Sequence, residues 1–345
     1  DGVVNGCPSH LLEPTRSNKI TYSEDFSNAS WALQRVSILS NNEIAPNGTL
    51  TATKFTEDTS IATHQTRPSS VISVSIGQAH TFTCFAKKGE RKEFRVENIG
   101  QYGVYFDLEN GTKVEDSASQ IINSEINELS NGWYKCSVTI QETSRTSDYI
   151  YLIIAKDGSK SYQGDGTSGI YIWGAQLEQG SYATSYIPTS GSAVTRVAET
   201  ANGAGDASTF NDSEGVLMAE ISGLTDNDDV RIISISDGTN DNRVYIGLNN
   251  EPNKLYFYMT IGGTFVMGFV DVVLNQTEYN KIALTYKSGQ SSVYLNGFLV
   301  NLDDTIFSNG NLDRLDFRNR GTGNPFYGST KQIQYFDSAL NDSDL

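Results

Sequence analysis

The sequence predicts an all-β protein built from two antiparallel β-sandwiches in tandem. Its length of 345 residues suits two domains, since domains cluster near roughly 100 to 200 residues. The 31 glycines, 18 tyrosines and 15 phenylalanines lie among short segments of Thr, Val, Ser and Ile, a composition typical of sheets joined by tight turns. Turn signals such as Asn-Gly and Asp-Gly separate these segments about every 10 to 20 residues, so we expect few helices.

The predicted parts follow one another as connector, sandwich, linker and sandwich. Residues 1–19 are predicted to be an irregular connector, because two prolines exclude regular structure there. A sandwich of the jelly-roll type is predicted over residues 20–187. Residues 188–209 are rich in Gly, Ser, Thr and Ala and are predicted to be a linker. The second sandwich is predicted over residues 210–345.

In the first domain, the alternation of side chains predicts which face of a strand is buried. The segment WYKCSVTI places Tyr134, Cys136, Val138 and Ile140 on one face. We expect that face to lie in the core and the opposite face to contact solvent. The segment YIYLIIA is apolar on both faces, as a central strand covered on both sides would be.

Two cysteines, Cys84 and Cys136, fall on predicted strands of this domain. Strand pairing cannot be known from sequence, so both a disulfide bridge and two free thiols are compatible with these positions. We favour two buried free thiols, because free cysteine is among the most buried residue types. The redox state of the compartment stays open.

In the second domain, the segment KLYFYMTI alternates in the same way. It directs Leu255, Phe257 and Met259 to one face and Tyr256 and Tyr258 to the other. The first face is predicted to be the inner layer of a sandwich. The two tyrosines are therefore predicted to be exposed on the opposite side of the sheet.

The formal net charge is −16, and it comes from scattered acidic residues without a basic stripe. Nothing in this pattern offers counter-charges to a phosphate backbone, so nucleic-acid binding is not expected. No stretch approaches the roughly 20 apolar residues of a membrane span, so no membrane insertion is expected. The first residues, DGVVNGCPSH, do not form a signal peptide, and a signal for export would lie outside this chain.

Several segments of the first domain resemble known proteins. They are CPSHLLEPTRSN, TYSEDFSNASW, NGWYKCSVT and GDGTSGIYIWGAQLEQGSYATSYIPTSGSAVTR. Together they resemble a module found repeatedly in structural proteins of tailed phages and prophages, over Cys7 to Arg196. The segment YSEDFSNASW is also similar to the first strand of carbohydrate-binding jelly rolls attached to polysaccharide-degrading enzymes. The resemblance implies a virion or extracellular protein, as part of a tail fibre, a baseplate appendage or the capsid surface, with other virion proteins as partners.

Residues 210–345 resemble a laminin-G or concanavalin-like domain. The resemblance depends on the segments KIALTYKSGQSSVYLNGFLV and FYGSTKQIQYFDSALNDSDL. Such domains typically bind glycans, often beside calcium, so a cell-surface or capsular glycan is the implied partner. We also expect a homo-oligomer, such as a trimer, because linked copies strengthen weak binding at each site.

A sugar ring needs a flat aromatic side chain against its C–H face and planar polar groups for its hydroxyls. Trp133 and Trp173 meet the first requirement but are predicted to pack inside. The candidate ligand-binding residues are Tyr102 and Tyr105 in the first domain, with Tyr245, Tyr256, Tyr258, Asn249 and Arg318 in the second.

The sequence contains candidate calcium ligands in both domains. Carbohydrate-binding jelly rolls often hold a structural ion between the first strand and an acid pair on the last, which implies Glu24 and Glu178 here, although Trp173-Gly174 stands where the acid pair would fall. Asp226, Asp228 and Asp237 belong to oxygen-rich loops of the kind that calcium prefers. Solvated turns explain these loop residues equally well.

The parts of common hydrolytic sites are missing from the sequence. The pattern Glu-x-Asp-x-x-Glu of concanavalin-like hydrolases is absent, and the three histidines have no metal-ligand spacing. Arg91, Glu93 and Arg95 match an Arg-x-Glu-x-Arg strand of alginate lyases, but the only echo of the partner motif, Gln332–Gln334, lies in the other domain. We therefore predict a protein that is not an enzyme.

The leading hypothesis is a non-catalytic phage adhesion protein that binds a glycan. One alternative is the carbohydrate-binding tail of a secreted polysaccharide-degrading enzyme. Another is a lyase or hydrolase with an unrecognised site. A purely architectural role in a virion is also compatible with the sequence.

Overall fold

The computed structural model describes residues 9–225, 230–251, 254–268 and 272–340, and these residues are organised almost entirely as strands and turns. The one helical element within these ranges is a single 3₁₀ turn at Ser130–Gly132. No described helix is long and apolar enough to cross a membrane. The chain divides into two compact units. Unit 1 is Thr15–Val197, and unit 2 comprises the described residues up to Pro14 and from Ala198 onward.

The first eighteen strands in chain order are β1 (His10–Leu12), β2 (Arg16–Asn18), β3 (Trp31–Gln34), β4 (Val36–Glu43), β5 (Ala52–Glu57), β6 (Ile61–Pro68), β7 (Ile72–Ser73), β8 (Ala79–Lys88), β9 (Glu93–Asn98), β10 (Gly103–Asp107), β11 (Thr112–Glu115), β12 (Ile121–Glu128), β13 (Trp133–Gln141), β14 (Ser147–Asp148), β15 (Ile150–Ala155), β16 (Ser161–Gln163), β17 (Gly169–Gln179) and β18 (Val194–Arg196). The next ten are β19 (Glu214–Gly223), β20 (Arg231–Ser236), β21 (Arg243–Leu248), β22 (Leu255–Ile261), β23 (Thr264–Gly268), β24 (Asn280–Lys287), β25 (Ser291–Leu295), β26 (Phe298–Asp303), β27 (Arg314–Asp316) and β28 (Gly328–Phe336).

Unit 1 is an antiparallel sandwich of a seven-stranded and a six-stranded sheet. The seven-stranded sheet has the order β11-β10-β9-β15-β6-β16, and β3 also pairs with β6. The six-stranded sheet has the order β12-β13-β8-β17-β5-β4. Apolar side chains of both sheets form one core, to which Phe94, Val96 and Phe106 contribute from the first sheet, and Phe82 and Ile172 from the second. The predicted all-β antiparallel sandwich is confirmed.

The predicted inner face of β13 is confirmed, because Tyr134, Cys136, Val138 and Ile140 all belong to this core. The prediction that the opposite face of β13 contacts solvent is wrong. Trp133 is 1% exposed and lies in a second apolar cluster on the outer side of the six-stranded sheet, with Phe85 and Trp173. The two tryptophans do pack inside, but in this outer cluster and not between the sheets.

Cys84 and Cys136 are free thiols and are buried, as predicted. They lie directly opposite each other on the neighbouring strands β8 and β13. Burial raises the pKa of both thiols well above the ordinary value, because the thiolate would lose its hydration. In the folded state, both cysteines are therefore poor nucleophiles.

We expect Cys84 and Cys136 to react with a thiol reagent such as DTNB only after unit 1 unfolds. In native protein at pH 8, DTNB should leave both thiols unmodified. In the same protein unfolded by denaturant, DTNB should modify both within minutes. Mass mapping of the labelled cysteines checks this expectation. Rapid labelling of either residue in the native protein would contradict it.

Unit 2 is also an antiparallel sandwich. One sheet has the order β1-β28-β19-β24-β25-β26, and the other has the order β23-β22-β21-β20-β27. Leu255, Phe257 and Met259 of β22 lie in the core between them, as the alternation predicted, together with apolar residues of β19 and β24.

Both segments expected to be irregular contain strands. In the predicted connector, His10–Leu12 pairs with β28 as an edge of a unit 2 sheet, and Arg16–Asn18 pairs with Val194–Arg196 in unit 1. The second part of the predicted linker also contacts its neighbours, since Ala204 forms a bridge with Leu315. These pairings join residues far apart in sequence, and local composition does not reveal them.

Candidate functional site

The outer face of the seven-stranded sheet in unit 1 carries a connected set of polar and aromatic side chains. Its position follows from the alternation along β15. Leu152 and Ile154 point into the core, so Tyr151 and Ile153 point away from it. Ile153 is nevertheless fully buried, because neighbouring side chains of this outer face cover it. The prediction that YIYLIIA forms a central strand is confirmed, since β15 lies between β9 and β6.

Strand register aligns one row of outward positions across the sheet. The row runs Val114, Tyr105, Arg95, Ile153, Gln65 and Gln34. The row therefore contains one of the predicted ligand-binding residues, Tyr105, and two strands, β9 and β15, separate it from the amide pair Gln65 and Gln34.

Arg95 is the centre of an ion-pair network on this face. It is only 3% exposed, and its guanidinium donates to Glu97 at 2.8 Å and to both carboxylate oxygens of Asp116 at 2.5 and 3.2 Å. Glu97 also accepts from Lys160 at 2.7 and 2.9 Å. The Tyr105 ring lies against the guanidinium, whose carbon is 4.4 Å from the ring centroid. The network holds Tyr105 in a fixed position.

The electrostatics of this network favour the charged forms. Burial acts to lower the pKa of Arg95, but hydrogen bonds to Asp116 and Glu97 outweigh it and raise that pKa. Burial acts to raise the pKa of Asp116, but hydrogen bonding and the charge of Arg95 outweigh it and lower that pKa.

The close approach of Arg95 also accounts for the glycine at position 103. An added Cβ there would lie 2.9 Å from the guanidinium carbon of Arg95 and 2.5 Å from a backbone oxygen.

Two clefts lie on this face, one on each side of the Arg95 network. The first cleft has a volume of about 420 Å³, and the second has a volume of about 290 Å³. The first cleft is lined by Tyr151, Gln34, Gln65, Arg35, Glu97 and Lys160, among others. The second is lined by Tyr105, Asp107, Lys113, Asp116 and Glu93, among others.

A shallow depression of about 230 Å³ extends the first cleft toward Arg67 and shares Gln34 and Gln65 with it. The Gln65 amide donates to the side-chain oxygen of Gln34 at 2.7 Å. The amide nitrogen of Gln34 and the amide oxygen of Gln65 have no partner among the described residues, so both are available to a ligand. The half-buried Tyr151 provides an aromatic side chain in the same cleft.

Unit 1 has another depression, of about 390 Å³, lined by Tyr22, Trp31, Pro68 and neighbouring residues. Trp31 is 5% exposed there, packs against Phe26 with its ring tilted, and donates its indole N–H to the Tyr22 carbonyl oxygen. Its ring therefore serves the core, and this depression is a weaker candidate.

The structure places the other predicted residue of this domain, Tyr102, in the turn between β9 and β10. Its backbone N–H donates to the side chain of Asn98. The neighbouring Gln101 lines the first cleft, whereas Tyr102 is not among the residues that line either cleft. Tyr105 and Tyr102 are thus close in sequence but differ in their relation to the clefts.

In unit 2, the structure brings together the three predicted tyrosines on the outer face of the five-stranded sheet. Tyr245 lies 5.5 Å from Tyr256 and 5.4 Å from Tyr258, with the rings stacked. Tyr245 is only 2% exposed, and Arg243 lies over Tyr258 at 4.4 Å. Tyr256 and Tyr258 are half-buried, so the predicted exposure of these two rings on this face is only partial.

Asn249 and Arg318 lie in loops around this sheet. Asn249 is in the turn after β21, where its backbone N–H donates to Lys254. Arg318 follows β27, donates to the Gly321 carbonyl oxygen at 3.2 Å, and accepts from Ser234 through its own carbonyl oxygen.

The candidate calcium ligands have partners within the protein where they are described. Glu178 is fully buried and accepts from Gln176 and from both the backbone and the hydroxyl of Thr184. Glu24 accepts from Tyr186 at 3.1 Å.

Asp237 accepts from Thr239 and Asn242, within its own turn. Asp226 and Asp228 lie outside the described residues. No group of three or more metal-binding side chains occurs in the ranges that the structure describes. The calcium site stays a prediction.

The Arg-x-Glu-x-Arg triplet is divided among separate contacts. Arg91 pairs with Glu57 and Asp165, whereas Arg95 belongs to the network described above. Glu93 accepts from the backbone N–H of Gly158.

Sequence reasoning missed most of the first cleft. Tyr151 was overlooked because YIYLIIA is apolar on both faces, although its alternation pairs Tyr151 with Ile153. Gln34 and Gln65 carry no local signal, since only the pairing of β3 with β6 brings them together. Arg67 also carries no local signal. Its guanidinium carbon lies 3.9 Å from the ring centroid of Tyr149, a residue far away in sequence.

No protein-family model matches the chain, and no curated protein matches it either. Among solved structures, it is similar to the CBM40 of the Ruminococcus gnavus IT-sialidase bound to α2,3-sialyllactose, with 19% sequence identity and a TM-score of 0.34 over 43% of this chain and 94% of that chain. It is also similar to domains LG4-5 of the mouse laminin α1 chain, with 10% identity and a TM-score of 0.27 over 96% of this chain and 91% of that chain.

Proposed function

We propose that unit 1 binds a glycan across the outer face of its seven-stranded sheet. The observation that carries this proposal is the pair of clefts on one face, of about 420 and 290 Å³, each with a half-buried tyrosine among amide and charged groups. This combination suits a sugar, whose C–H face packs on an aromatic ring and whose hydroxyls need planar donors and acceptors.

The length of the face suits an oligosaccharide chain and exceeds what a single sugar needs. The aligned row from Val114 to Gln34 crosses six strands. At a strand spacing of about 4.8 Å, the row is about 24 Å long. A chain of several sugars can therefore contact Tyr105 in one cleft and Tyr151 in the other.

The face is organised before a ligand arrives. Arg95, Glu97 and Asp116 are held by ion pairs, and Tyr105 packs on the guanidinium. A preformed site loses little side-chain entropy on binding, which favours recognition.

Our proposal for the biological role is non-catalytic adhesion in a bacteriophage virion, on a tail fibre, a baseplate appendage or the capsid surface. It is supported by the resemblance of Cys7–Arg196 to modules of phage structural proteins. Several copies in a homo-oligomer would strengthen weak binding to a host glycan, since linked sites gain effective concentration.

Replacing Tyr151 or Tyr105 with alanine should weaken glycan binding by roughly fivefold each, because each ring contributes about 1 kcal/mol of stacking. Glycan arrays with the full chain identify a ligand, and titration calorimetry then measures the variants. Tyr171→Ala is the matched control, since Tyr171 lies on the six-stranded sheet.

Binding unchanged in both cleft variants would show that the glycan binds elsewhere, and the stacked tyrosines of unit 2 would be tested next. No binding to any glycan would overturn the proposed function. Release of oligosaccharides from a polysaccharide panel would contradict the non-catalytic role.

A further inference from the structure

We propose that the glycan in the first cleft is anionic, and that Arg35 and Arg67 bind its acidic groups. This inference rests on the proposed function of the same face. It goes further by naming the chemical class of the ligand.

The charge of the first cleft is opposite to that of the chain. The protein has 41 acidic and 25 basic residues. The first cleft and its shallow extension nevertheless contain three cations and one carboxylate, Glu97, among their lining residues. Glu97 accepts hydrogen bonds from Arg95 and Lys160, so Glu97 and Lys160 compensate each other and the charges of Arg35 and Arg67 remain for a ligand. A ligand in this cleft therefore meets an excess of positive charge.

The two arginines have hydrogen-bonding capacity left for a ligand. Arg67 donates one N–H to the Pro68 carbonyl oxygen at 2.9 Å, and its guanidinium carbon lies 3.9 Å from the ring centroid of Tyr149. The ring holds the guanidinium in place by a cation–π contact, which is not a hydrogen bond to an oxygen acceptor. Arg35 approaches Asp58 only at 4.0 Å, and both side chains are nearly half exposed. An exposed ion pair at this distance is weak and is readily replaced by a ligand carboxylate.

The arginines stand at opposite ends of the Gln34–Gln65 amide pair. Arg67 pairs with Ala32, two residues before Gln34, whereas Arg35 directly follows Gln34. Their positions are thus separated by three residues along the strand direction, which is about 10 Å. With this spacing, the amides can contact sugar hydroxyls while each guanidinium group pairs with an acidic group on its own side. A guanidinium group binds a carboxylate through two parallel hydrogen bonds.

The test compares polysaccharides that differ in charge alone, using the full-length chain. Polygalacturonate, hyaluronan and polysialic acid are each measured against their carboxyl-reduced or methyl-esterified forms, and dextran sulfate against dextran. We expect at least one acidic polymer to bind about tenfold tighter than its neutral form. The preference should shrink as salt rises from about 50 mM to about 500 mM, because salt screens these exposed charges.

Variants assign the preference to the cleft. Arg35→Gln and Arg67→Gln should each weaken binding of the acidic polymer about tenfold, by removing a charged hydrogen bond. Both should weaken binding of the neutral form by a clearly smaller factor than binding of the acidic form. Lys281→Gln, an exposed residue of unit 2 that removes the same charge, is the control and should have no effect.

Three outcomes would overturn the anionic assignment. The first is equal binding of the acidic and neutral forms. The second is binding of the acidic polymer that both arginine variants leave intact. The third is binding of single-stranded DNA with the salt dependence of the acidic polysaccharide and with the same loss of affinity in Arg67→Gln. Neutral glycan binding that disappears in Tyr151→Ala would keep the proposed function and reject only the anionic class. Absence of binding to every saccharide would reject both.

Discussion

Arg95→Met should destabilise unit 1 by about 2–3 kcal/mol at neutral pH. Arg95 is 3% exposed, and its guanidinium is the shared partner of Glu97 and Asp116. Methionine keeps most of the apolar stem but removes every donor. Glu97 would then keep Lys160 as a partner, while Asp116 would keep the Gly103 backbone N–H at 2.9 Å. The cost comes mainly from Glu97, which stays buried with one cation instead of two, whereas the Asp116 side chain is 36% exposed and can be partly hydrated.

Urea unfolding followed by tryptophan fluorescence measures this change, because all three tryptophans lie in unit 1. Arg35→Met is the matched control. It makes the same chemical change in the bend that follows β3, where the side chain is 47% exposed, and should alter the free energy of unfolding by about 0.5 kcal/mol or less. Equal effects of the two substitutions would contradict the importance of the buried network.

The difference between wild type and Arg95→Met should depend on pH. Arg95 lowers the pKa of Asp116 in the folded protein. A carboxyl group with a lowered folded pKa stabilises the protein above its unfolded pKa, about 3.9, and loses that contribution as pH falls through the folded pKa. The stability difference should therefore be full at pH 7 and smaller below about pH 4. A difference that grows on acidification would contradict this assignment.

The layering of each unit could be predicted because it depends on local alternation. Cys136, Val138 and Ile140 repeat every second residue, and a period of two identifies a face without knowledge of the strand partners. Alternation does not reveal what covers the other face. The sequence predicts that Trp133 packs inside, although alternation assigns its face of β13 to solvent. Trp133 is indeed buried, in an outer cluster that segments distant in sequence complete.

The clefts of unit 1 could not be predicted for a related reason. Tyr105 was recognised as a candidate from residue type alone. Its neighbours Arg95 and Gln65 are in the same row only because β10, β9, β15 and β6 pair in that order. The strand order of a sandwich is a non-local property, and a single sequence does not report it. The same limit hid the pairing of His10–Leu12 with β28.

Phe257→Ala should destabilise unit 2 by about 3–5 kcal/mol. Phe257 is fully buried on β22, in the core formed by the two sheets of this unit. Alanine removes the whole ring, and the surrounding side chains come from strands held by hydrogen bonds on both sides, so they can close only part of the cavity. The loss then combines the transfer free energy of the ring with the cost of the remaining cavity.

The same substitution at Phe298 provides the comparison. Phe298 belongs to β26, at the edge of the other sheet, and is 75% exposed. Phe298→Ala should change the free energy of unfolding by about 0.5 kcal/mol or less. Circular dichroism during urea unfolding measures both variants, and hydrogen exchange of peptides from Leu255–Ile261 assigns the transition to unit 2. If Phe298→Ala lowered the free energy of unfolding as much as Phe257→Ala, a partner or another copy of the chain would have to cover β26. Removing an exposed ring from the unit alone leaves no cavity.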